Sequence, residues 1–125
     1  MPKNAWLFLA WGWTITVAVL CLISFEKLPG EKIANADKFI HATFHLIFVL
    51  LWCGYFRILG LREKRLLLAA ITFSVFYGCL IEIAQHYFTI TRQADIKDVL
   101  ANFCGAALAV VLQITARSIT KRTKE

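Results

Sequence analysis

Hydrophobic positions in this chain come in long unbroken runs rather than in alternation. Four stand out: Ala5–Phe25, Phe39–Leu59, Leu66–Phe88 and Ile96–Ile114. A helix crossing a bilayer needs ~20 mostly apolar residues, and each run approaches that length. The continuous runs argue against a membrane barrel, whose strands would alternate in polarity over about ten residues. The polar stretches between the runs are short, so neighbouring helices are predicted to be antiparallel. The pattern therefore predicts an all-α membrane protein, a four-helix transmembrane bundle in a single domain covering residues 1–125. The fourth run is the weakest, since Lys97, Asp98 and Asn102 fall in its first two turns.

Composition agrees with the pattern. The chain is 59% hydrophobic and 18% charged, with a mean hydropathy of +0.65, too apolar for a small soluble domain. The first run is longer than the apolar stretch of a signal peptide. Ala34-Asn35-Ala36 fits a cleavage site but lies well beyond the run, and Cys21 follows the bulky Leu20. A retained first helix is expected. Cys21, Cys53, Cys79 and Cys104 each fall inside a run, with no C-x-x-C pair, and read as small hydrophobes. Trp6, Tyr55 and Tyr87 lie near run ends, where an interfacial aromatic belt forms.

The net charge of +6 speaks here to topology and not to nucleic acid. Nine basic residues fall on one side of the predicted membrane: Lys3, then Arg57, Arg62, Lys64 and Arg65, then Arg117, Lys121, Arg122 and Lys124. The other side holds Lys27, Lys32, Lys38, Arg92 and Lys97, interleaved with acids. The positive-inside rule then places both termini in the cytoplasm, with residues 117–125 as a basic tail. Its last residues are expected to fray. The tail also suits anionic headgroups.

The polar residues inside the runs carry the candidate chemistry. Asp37, His41 and His45 recur every four residues and share one helical stripe. Ser74, Gly78, Glu82 and Gln85 form a second stripe, and Asp95, Asp98, Asn102 and Gly105 a third. At ~1.5 Å per residue, Glu82 lies ~9 Å below the outer end of its helix, His41 ~6 Å below Asp37, and Asn102 ~10 Å below Asp95. The levels overlap. A carboxylate facing lipid at mid-helix costs ~2.5–3.5 kcal/mol, so the stripes are expected to turn toward one another. Each group also has a plainer role. Asn35 or Asp37 can cap the second helix, Asp95 can cap the fourth with Asp98 three residues on, and the histidines can bridge helices.

The segments "DKFIHATFH" and "GCLIEIAQHYFTITRQADIKDVLANFCGA" resemble the VanZ-like family, named for a teicoplanin-resistance protein. Its pattern runs D-K-x-x-H, then G-x-x-x-E-x-x-Q, a nearby Arg, and D-x-x-x-N-x-x-G. These positions correspond to Asp37, Lys38 and His41; Gly78, Glu82 and Gln85; Arg92; and Asp98, Asn102 and Gly105. The resemblance covers about residues 24–110. It implies a small multi-pass protein of the bacterial cytoplasmic membrane, linked in some members to glycopeptide tolerance. Where His45 stands the family more often has an aromatic, which weakens a His-x-x-x-His metal site; His with carboxylates could still hold a metal, but zinc needs at least three well-placed protein ligands, and no metal is assigned. His86 lies outside the pattern.

On this reading His41, Glu82 and Asp98 are the candidate catalytic groups. Asp37, Lys38, Gln85, Arg92, Asp95 and Asn102 are candidates for binding substrate. Arg92 and Lys38 suit a phosphate or carboxylate. The absence of G-x-S-x-G and H-E-x-x-H motifs favours acid–base over covalent catalysis. The expected partners are membrane lipid and a lipid-linked or cell-wall precursor, with a homo-oligomer admissible. The sequence does not identify a cofactor. Two other readings stay open: a non-catalytic envelope accessory or antibiotic-interacting protein, and a proton or ion path.

Overall fold

The computed structural model describes residues 2–23, 36–90 and 95–123. They form α1 (Lys3–Leu22), α2 (Ala36–Ile58), α3 (Glu63–Phe88) and α4 (Ile96–Arg122). All four are long and apolar enough to cross a membrane. The shortest has 20 residues, which at ~1.5 Å each matches the ~30 Å hydrocarbon layer. No strand occurs among the described residues.

Three helices start within three residues of the expected positions, and α4 starts where expected. Its other end differs. The helix runs past Ile114 to Arg122, through the segment expected to fray. Hydropathy marks only the part of a helix that lipid requires. The polar extension is held by Ser118, Thr120 and Thr123 hydroxyls bonding carbonyls four residues back, and by Arg117 pairing with Glu63.

Helices α2 and α3 form the centre, while α1 and α4 flank them without touching each other. Gln85, near the end of α3, donates to the Cys21 carbonyl near the end of α1 at 2.9 Å. The Trp6 ring at the start of α1 lies against Gly54 near the end of α2. Sequential helices are thus antiparallel, and the described chain ends share one end of the bundle. The α2–α3 connection is tight because Gly60 takes φ +79. Its N–H bonds Arg57 O and the Leu61 N–H bonds Phe56 O, the paired closure of a helix that ends in a left-handed residue.

The apolar interior is aromatic. Phe48 stacks on Tyr77 with centroids 5.1 Å apart, and Trp52 meets Phe73 edge-on at 4.8 Å. Phe8, Ile15, Phe76, Ile83, Leu108 and Val111 are exposed and face outward, as a surface in hydrocarbon requires. Polar bonds fasten α1. Trp13 Nε1 donates to Phe44 O at 3.0 Å, Trp52 Nε1 to Thr14 Oγ1 at 3.3 Å, and the Tyr77 hydroxyl to Thr14 O. In a membrane such bonds average ~0.6 kcal/mol each.

Helices α2 and α4 approach each other closely. A Cβ placed on Gly105 would lie 1.9 Å from the Ala42 carbonyl oxygen. Only a residue without a side chain lets these backbones meet there. Ala42 follows His41, so this approach sets how near His41 comes to the polar face of α4.

Candidate functional site

The start of α2, the end of α3 and the start of α4 meet at the end of the bundle away from the described chain ends. His41, Glu82 and Asn102 are 3%, 4% and 2% exposed, and Asp98 is 9% exposed. They converge as the three stripes require. His41 Nδ1 lies 3.1 Å from Asn102 Oδ1 and 3.9 Å from Glu82 Oε1, while Nε2 lies 3.9 Å from Asp98 Oδ2. An amide oxygen only accepts, so the Asn102 contact puts a proton on Nδ1 of His41. In the neutral ring Nε2 then carries the lone pair and faces a carboxylate. Gly78 makes room beside them, since a Cβ there would meet Asn102 Nδ2 at 2.9 Å.

Lys38 occupies the rim. Its Nζ lies 3.0 Å from Asp37 Oδ2, 3.4 Å from Asp98 Oδ1 and 3.6 Å from Asp95 Oδ2. Asp95 does cap α4, accepting from the Lys97 N–H at 2.9 Å. In a capping box the residue three positions on returns a carboxylate to the cap's own N–H. Asp98 does not fill that role here. Glu82 of α3 accepts from the Asp95 N–H at 3.2 Å instead, which leaves Asp98 turned toward Lys38 and His41. Glu82 thus ties α3 to the first turn of α4 through one oxygen. Its other oxygen, Oε1, is buried with no hydrogen-bond donor, the Asn102 Nδ2 amide is buried with no acceptor, and Asp98 Oδ1 has only the Lys38 ammonium at 3.4 Å. Buried polar atoms are nearly always paired, so a set of open ones is a place for a ligand.

The other candidates divide. Gln85 is buried but spends its amide N–H on Cys21 O, away from the cluster. His45 turns to Ser74 Oγ at 2.7 Å and stacks on Phe48, so the two histidines of α2 do not act as a pair. His86 is exposed, at the end of α3. Arg92 and Asn35 lie outside the described residues. The trio that does come together is His41, Glu82 and Asp98, whose ligand atoms lie within 4.8 Å of one another. Sequence reasoning grouped the same three as candidate catalytic groups and assigned them no metal; the structure draws one donor from each of three helices.

A second polar cluster sits at the opposite end. Glu63 pairs with Arg117, its Oε1 lies 3.6 Å from Arg57, and Arg57 donates to Gln113 at 2.9 Å, beside a cavity of about 480 Å³. Of these, Arg57 and Arg117 were read only for topology, and Glu63 and Gln113 were not singled out. The signal available was Glu63 as the one acid in "RILGLREKR".

Four helices long and apolar enough to span a bilayer, with a buried ionisable cluster near one end of the bundle, are the architecture of a multi-pass membrane protein. The family model described as VanZ/LLP1 matches residues 4–117, nearly the whole chain and including α1, and the chain belongs to that family. No curated protein and no solved structure matches it significantly.

Proposed function

We propose that this protein uses the His41–Glu82–Asp98–Asn102 cluster to bind or process the polar headgroup of an anionic lipid or lipid-linked cell-wall precursor. The carrying observation is that Glu82 and Asp98 are buried beside His41, with the Glu82 Oε1 acceptor filled by no donor. Ionisable groups inside a membrane bundle are costly and are retained where they meet a substrate or ion. The cluster is near the helix ends, at the depth where headgroups meet the bilayer. Lys38, at its rim, supplies a positive charge for a phosphate or carboxylate. The basic residues gathered at the other end support a cytoplasmic location for the termini, which turns this site outward. The bacterial cytoplasmic membrane is the setting that fits an envelope precursor.

In this reading His41 and Glu82 handle protons. One takes a proton from the attacking water or hydroxyl, and the other returns one to the leaving oxygen or nitrogen. Asn102 holds the imidazole in one tautomer. The test replaces Glu82 by Gln and His41 by Ala at matched membrane levels. Labelled lipid-linked precursors should lose turnover or ligand-dependent thermal stabilisation in both variants. Full retention of both in both variants refutes the proposal.

A further inference from the structure

The cluster poses an electrostatic problem. Asp37, Asp95 and Asp98 surround Lys38, and His41 lies between Asp98 and Glu82. Lys38 sits among the rim carboxylates at 3.0–3.6 Å. It does not supply a donor to Glu82 Oε1, which stays open. Deeper in, the His41 Nε2 lone pair faces an Asp98 oxygen at 3.9 Å, acceptor toward acceptor. Burying acceptors against each other is unfavourable unless a cation stands among them.

We propose that His41, Glu82 and Asp98 bind a single divalent transition-metal ion, Zn2+ or Mn2+. The inference deepens the headgroup reading but rests on separate observations. Several features carry it. The donors come from three helices, and their ligand atoms lie within 4.8 Å of one another. A tetrahedral ion with ~2.1 Å bonds holds its ligand atoms ~3.4 Å apart, so the trio closes on an ion by small side-chain rotations. The two inner carboxylates match the charge of a divalent ion. One imidazole with two carboxylates suits Zn2+ and Mn2+ better than Ca2+, which takes oxygen ligands throughout. Asn102 holds the far nitrogen of His41, the kind of supporting bond that metal-ligating histidines make. Three protein ligands leave a position open, and there an anionic headgroup oxygen meets a cation instead of an acidic wall.

The test uses the full chain in lipid nanodiscs, stripped with EDTA and dialysed against Zn2+ or Mn2+. Elemental analysis should find about one ion per chain. Pulsed electron paramagnetic resonance of the Mn2+ form of the unmodified protein should show coupling to an imidazole nitrogen. That coupling should vanish in His41→Ala and persist in His45→Phe. Glu82→Gln and Asp98→Asn should weaken binding at least tenfold, and Asn102→Ala by about 10–100-fold. No retained ion, no nitrogen coupling, or coupling that follows His45 overturns the proposal. Anionic phospholipid vesicles tested in EDTA separate the two readings: lipid stabilisation that persists with no ion bound leaves the headgroup site standing and overturns the claim that the ion receives the headgroup.

Discussion

Gly105→Ala drives apart the two helices that frame the site. The new Cβ would stand 1.9 Å from Ala42 O, with the carbonyl carbon at 2.6 Å and Ala42 Cα at 2.9 Å. All three atoms are backbone, so no side-chain rotation relieves the overlap. Ordinary contact is ~3.5 Å, which requires α2 and α4 to separate locally by about 1.5 Å. The His41–Asn102 hydrogen bond is 3.1 Å long and one residue from the clash, and it does not survive that movement. Overpacking costs ~1–3 kcal/mol, and the rigid backbone on both sides puts this case at the upper end. A loss of ~3 kcal/mol is over a hundredfold in the folded-to-unfolded ratio. Reversible unfolding in mixed micelles reads the stability, and histidine ring nitrogen shifts read the Asn102 contact. Gly12→Ala is the control, because nothing lies within 4 Å of a Cβ there. Gly105→Ala unfolding like the control, with the His41 resonance unmoved, refutes the packing argument.

Other expectations follow from the same contacts. Asp95→Ala removes the cap of α4 and should cost ~1 kcal/mol, measured by thermal unfolding; no change would mean that Glu82 alone organises that turn. His45→Phe combined with Ser74→Ala keeps the aromatic stack and removes both hydrogen-bonding partners. It should cost under ~1.5 kcal/mol and leave headgroup binding intact, whereas His41→Ala should abolish binding at similar protein levels. Gln85→Leu breaks the α3–α1 tie to Cys21 O. It should cost ~0.6 kcal/mol and loosen α1, seen as faster exchange of its amides, without altering the affinity of the cluster.

The spans were legible because hydrocarbon imposes one requirement on every residue of a run. The convergence of His41, Glu82, Asp98 and Asn102 was legible for the same reason: each would be expelled from lipid alone, and their periodicity and depth matched. Finer choices were not. A four-residue spacing puts His41 and His45 on one stripe, but it cannot show that a turn of depth brings His45 to Ser74 and not to the carboxylates. Gln85 shares the stripe of Glu82, yet it faces α1, whose role no motif announced. Asp95 and Asp98 read as cap and partner, and only packing reveals that Glu82 from another helix takes the partner's place. The extension of α4 beyond Ile114 escaped because its reasons are local: hydroxyl back-bonds and the Arg117–Glu63 pair.

The central claim is that imidazole and carboxylate from different helices face one another inside the bundle. Solid-state NMR on the protein in lipid bilayers, with labelled histidine nitrogens and glutamate carboxyl carbon, measures it directly. The 3.9 Å separation of His41 Nδ1 and Glu82 Oε1 predicts a clear dipolar contact between those residues, lost in Glu82→Gln. A His41 ring with no dephasing from Glu82, in protein whose four helices are intact, contradicts it.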